Sequence, residues 1–107
     1  MRENIYIGKI NNGKYIVTKN NEPMSPKNYS KMIGLDDRTE FYWGYHGSAP
    51  TNLAFALLYE STNDFKLSKQ IHQAFKSEII SKLDMELGWS LNESEIKQWL
   101  CNKEALL

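Results

Sequence analysis

Few residues of this chain are of types that do chemistry at suggestive spacings. His46 and Ser48 stand two apart in the run Tyr45-His46-Gly47-Ser48-Ala49-Pro50. A histidine near a serine is the start of a base and nucleophile pair. Acyl transfer also needs an acid that orients the base and an oxyanion hole. Asp36, Asp37 and Glu40 are the acids nearest in sequence, and their spacing fixes none of them against His46. The same carboxylates match no calcium loop, and a solvated loop or helix cap accounts for them. Neither His46 nor His72 has a metal-spaced neighbour, and Cys101 is the only cysteine. No zinc site, no other metal site and no internal disulfide is expected. No catalytic residue and no cofactor is expected either.

Two binding features stand out instead. Gly47, Ser48 and Ala49 precede an apolar helical stretch, with Ser48 as the expected N-cap and Pro50 in the first turn. Free N–H groups there would meet an anion at the positive end of the helix dipole. The turn lacks the lysine of a phosphate loop and the third glycine of a dinucleotide fingerprint. Lys66, Lys69, Gln73 and Lys76 recur at helical spacing and form a positive stripe on a second helix. His72 falls on the same polar side and is expected at the surface.

The elements that would position these residues can be read from pattern. Ile5–Ile10 and Lys14–Thr18 are rich in β-branched and aromatic residues, and Asn11-Asn12-Gly13 between them signals a hairpin. Neither face of that hairpin is cleanly apolar, which predicts an outer position in the fold. Residues 19–40 carry turn chemistry, with a short helical turn near Lys27–Met32 capped by Ser25. Glu40–Tyr45 reads as an aromatic strand. Thr51 to about Glu60 is apolar nearly all round, as a buried helix is. Ser61–Asp64 ends it and caps the next helix. There Leu67, Ile71, Phe75, Ile79 and Leu83 recur every four residues, which predicts an amphipathic helix of about 19 residues. Asn92 and Glu95 have the spacing of a capping box for a last short helix with Ile96, Trp99 and Leu100 on one side. The fold class is therefore α+β: an N-terminal hairpin and a short aromatic strand packed on two main helices and a short C-terminal helix.

The 107 residues fit one domain, 1–107. Thirteen basic and thirteen acidic residues give a formal charge of zero, unlike a dedicated nucleic-acid binder. The charges are unevenly spread. Residues 2–31 carry Arg2, Lys9, Lys14, Lys19, Lys27 and Lys31 against Glu3 and Glu22. Residues 84–104 carry Asp84, Glu86, Glu93, Glu95 and Glu104 against Lys97 and Lys103. The N-terminal run lacks the apolar core of a signal peptide, and no apolar run approaches the ~20 residues that span a bilayer. A cytoplasmic protein with no membrane partner is expected.

The block Phe41-x-Trp43-Gly44-Tyr45-x-Gly47-Ser48-x-Pro50-x-x-Leu53-Ala54 resembles the signature of a family of small uncharacterised bacterial and phage proteins, known only as a domain of unknown function. Phe75, Lys76 and Ile79 match its second block. Gly88, Trp89, Leu91, Ile96, Trp99 and Leu100 match its last. His46 and Ala49 depart from it, standing where the family usually carries glycine. The resemblance implies a setting in bacterial genomes and mobile elements, and no activity. The expected function is a small non-catalytic module that docks on a protein partner, such as a host defence or regulatory complex. The alternatives are a nucleic-acid accessory protein using the basic hairpin and helix face, and an anion or small-ligand sensor at Gly47–Ala49.

Overall fold

Asn12 and Gly13 both take positive φ, 52° and 77°, the conformation a two-residue hairpin turn demands. They join β1 (Ile5–Asn11) to β2 (Lys14–Lys19). Asn20 and Asn21, at 52° and 71°, repeat the device and lead to the two-residue β3 (Glu22–Pro23). Short helix α1 (Pro26–Ser30) and a 3₁₀ turn follow. The remaining elements are α2 (Ser48–Thr62), α3 (Phe65–Glu78), a 3₁₀ turn at Ile80–Lys82, β4 (Trp89–Asn92) and α4 (Glu93–Ala105). The computed structural model describes residues 3–105.

The architecture is α+β. The sheet is antiparallel in the order β3-β2-β1-β4. The hairpin is thus not outermost, as its mixed faces suggested: β1 is an interior strand because Trp89–Asn92 pairs along its free side. Gly8 faces Val17 on one neighbour and Trp89 on the other. One sheet face, with Tyr6 and Val17 buried, meets the helices. α2 is the spine expected of it, buried without a break from Pro50 to Leu58. Glu60 near its end accepts from the Lys19 ammonium at 2.7 Å and the Tyr29 hydroxyl at 2.9 Å. That carboxylate ties β2 and α1 to the spine.

Three local expectations are corrected, two of them by long-range hydrogen bonds. Phe41–Tyr45 forms no strand, and the chain bends at Gly44, where φ is +85°. Phe41 and Trp43 point into the core as a strand's alternate residues would, yet the backbone finds its partner elsewhere. Gly44 N–H donates to the Ile80 carbonyl at 3.0 Å, and the Trp43 indole donates to the Asp84 carbonyl at 2.8 Å. The same bonds explain why α3 is 14 residues long rather than running on to Leu83. Finally, α2 starts at Ser48 itself, and its N-cap is Gly47. Ser48 is exposed, and no side chain caps this helix. The Tyr45 ring lies on Gly47: an ideal Cβ there would stand 2.7 Å from Tyr45 Cε2, so a larger residue would displace the ring. The Gly47 carbonyl then receives both the backbone N–H of Thr51 (3.0 Å) and its hydroxyl (2.8 Å).

Ser25 stands at the N-cap position of α1, but its side chain makes no cap bond. The caps of α3 and α4 form as their spacing predicts. Asp64 accepts from Leu67 N–H at 3.0 Å. Asn92 and Glu95 exchange reciprocal bonds of 2.8 and 3.1 Å, so Asn92 both ends β4 and caps α4.

Candidate functional site

The outer face of α3 is the strongest candidate. Asp64 fixes where the helix begins, and Ile71 and Phe75 bury one side. The opposite side then presents Lys66, Lys69 and Gln73 exposed and Lys76 half-buried, so all four predicted residues share one stripe. Lys19, Lys27, Arg38, Lys97 and Lys103 sit in ion pairs. Among the described residues Lys66, Lys69 and Lys76 have none, so their charge is available to a partner.

Phe65 belongs to this site and was missed by sequence reasoning. It is 40% exposed and meets Phe55 edge-on, with centroids 5.9 Å apart. The Lys69 ammonium stands 5.7 Å from its centroid, within reach of a cation–π attraction. Together with Lys66, Lys69 and Gln70 it lines a shallow hollow. The available signal was an aromatic residue directly after the cap, outside the Leu67-Ile71-Phe75 ladder and four residues before a lysine.

His72 is not on the surface as expected. It is buried, edge-on to Phe55 at 5.9 Å, with Nδ1 at 2.7 Å from the Lys69 carbonyl. A carbonyl can only accept, so the neutral ring carries its proton on Nδ1. Burial holds the imidazole below its ordinary range, and the charges of Lys76 and Lys69 push the same way. His72 thus supports the lysine face from beneath.

The remaining chemistry-bearing groups do not converge. His46 and Ser48 are both exposed, and no hydrogen bond joins them among the described residues. At the Gly47–Ala49 turn the Tyr45 ring covers Gly47. Asp36 takes its own neighbour, Arg38, through a two-pronged pair at 3.0 Å, which lowers its carboxyl from the usual range. Among the described residues no His, Cys, Asp and Glu gather as metal ligands do. The Tyr42 hydroxyl donates to the Tyr15 hydroxyl at 2.6 Å, and that bond, with desolvation, pushes the Tyr42 group up to about 12. At neutral pH it is an uncharged phenol.

Fold and surface together define a small α+β domain with a one-sided antiparallel sheet, a buried central helix and a cationic, aromatic-edged helix face. The chain belongs to the family of unknown function DUF6166, whose model matches residues 6–102. No curated protein and no solved structure matches it. Among the described residues no helix is long and apolar enough to cross a membrane.

Proposed function

We propose that the protein is a small non-catalytic binding module of the cytoplasm that docks through the outer face of α3 on an acidic, partly apolar surface of a protein partner. One observation carries the reading. An exposed aromatic ring, Phe65, is flanked by lysines that no carboxylate of the described residues neutralises. Binding energy concentrates in aromatic anchors, and unpaired charge around them steers and orients the partner. A purely electrostatic nucleic-acid face would have no use for the apolar hollow.

The test is titration of the folded chain with an unstructured peptide rich in Glu and Leu and, in parallel, with duplex DNA, read by fluorescence anisotropy. The peptide is expected to bind, with affinity that falls as salt rises. Lys66→Glu with Lys69→Glu should weaken it about tenfold or more, as loss and reversal of paired interface charges does. Unchanged affinity in that variant would remove α3 as the docking face. Tighter, sequence-independent binding of the duplex would favour the nucleic-acid reading.

A further inference from the structure

We infer that the loop between α3 and β4 docks on the basic α3 face of a second copy of this chain. The inference rests on the docking role proposed for that face and names its partner.

Three of the large apolar side chains left in solvent stand around this loop: Tyr45, Met85 and Leu87, at 39%, 41% and 65% exposure. Met85 lies directly on Gly44, where an ideal Cβ would be 2.3 Å from its Cγ, and Tyr45 follows Gly44 in the chain. Tyr45 in turn packs edge-on to Tyr42 with centroids 5.2 Å apart. The backbone that carries Met85 and Leu87 is ordered by hydrogen bonds. Asp84 Oδ1 accepts the N–H groups of Glu86 and Leu87 at 2.8 and 3.1 Å, and the Asp84 carbonyl is fixed by the Trp43 indole. An ordered loop that presents methionine and leucine to water is the kind of patch that marks an interaction surface.

The charge of the patch names its complement. Leu83-Asp84-Met85-Glu86-Leu87-Gly88 holds two carboxylates, and Lys82 just before it is the one cation between α3 and β4. Neither Asp84 nor Glu86 makes an ion pair among the described residues. The face that answers it, an exposed apolar ring beside unpaired cations, is on the same chain at Phe65, Lys66 and Lys69. With a formal net charge of zero, two copies meet no overall repulsion as they approach. Apolar centre meets apolar centre, and carboxylates meet ammonium groups.

Sedimentation of the full chain over a concentration series, at low and at high salt, tests this directly. Reversible association that weakens with salt is expected. Two variants then separate the halves of the contact. Lys66→Glu/Lys69→Glu reverses the helix face. Asp84→Asn/Glu86→Lys reverses the loop while keeping a side-chain oxygen for the N–H groups of Glu86 and Leu87. Each variant alone should associate about tenfold or more weakly, with a cooperative thermal transition like that of dilute wild type showing that it is folded. An equimolar mixture should associate again, because the intact loop of the first meets the intact helix of the second. A wild-type chain that stays monomeric, a folded variant that associates like wild type, or a mixture that stays monomeric would each overturn the inference. If the wild type is monomeric while Glu/Leu peptide binding still depends on Lys66 and Lys69, the docking face stands and only the second copy is lost.

Discussion

Gly44→Ala offers a measurement of how much the aromatic segment contributes by gripping the chain beyond α3. Gly44 has φ +85°, and a Cβ there would stand 2.3 Å from Met85 Cγ, 2.6 Å from the Leu83 carbonyl oxygen and 3.1 Å from Met85 N. The methionine side chain can swing away, but the Leu83 oxygen and the Met85 nitrogen are backbone. They move only if the loop moves. Gly13 and Gly34 supply the control, with φ +77° and +76° and nothing within 4 Å of an added Cβ. A left-handed alanine costs about 1–2 kcal/mol, and overpacking adds about 1–3 kcal/mol. Gly13→Ala and Gly34→Ala should therefore each lose about 1–2 kcal/mol and Gly44→Ala about 2–5 kcal/mol. The gain from a stiffer unfolded chain is common to all three and cancels in the comparison. Urea unfolding gives the losses, and at this chain length each kcal/mol corresponds to a melting shift of about 4 °C. The indole N–H of Trp43, now bonded to the Asp84 carbonyl, should exchange with solvent faster only in Gly44→Ala. Equal losses in the three variants, with Trp43 exchange unchanged, would show that the loop does not rest on Gly44.

Leu57, fully buried on α2, should cost roughly 2–5 kcal/mol as Leu57→Ala, and a loss under about 0.5 kcal/mol in chemical denaturation would deny the spine role of α2. Because Ser48 makes no cap bond, Ser48→Ala should change stability by no more than about 0.5 kcal/mol. Thr51→Ala, which removes the buried hydroxyl bonded to the Gly47 carbonyl, should cost about 1 kcal/mol; the reverse ranking would restore Ser48 as the cap. His72 is held below its ordinary value by burial, so the unfolded chain takes up a proton that the folded chain refuses. Its contribution is full above about pH 6.5, declines as pH falls toward the lowered folded value, and is constant below it. Stability curves of wild type and His72→Gln should diverge in slope only within that window, and parallel curves through it would contradict the burial of the ring.

Much of this molecule was legible from neighbours along the chain. The Asn12-Gly13 turn, the Asp64 cap, the Asn92 and Glu95 exchange and the buried run of α2 each depend on residues within about one or two turns of one another, so pattern alone determines them. The lysine stripe of α3 was legible for the same reason, since a helix of known register places every fourth residue on one face. Other features needed the tertiary structure. Trp89–Asn92 is too short to declare itself a strand and becomes one because β1 has an unpaired side. Glu40–Tyr45 has a strand's composition without a strand's partner: the Gly44 N–H goes to Ile80, and this contact, distant in sequence, also ends α3 early. Ser48 has the chemistry of a cap, but α2 begins at Ser48 itself with Gly47 as its N-cap, a one-residue shift in boundary that residue type does not fix. The exposure of Phe65, Met85 and Leu87 was equally hidden. Burial is decided by what packs on a residue from elsewhere in the chain, and a residue's own type carries no record of a neighbour that is missing.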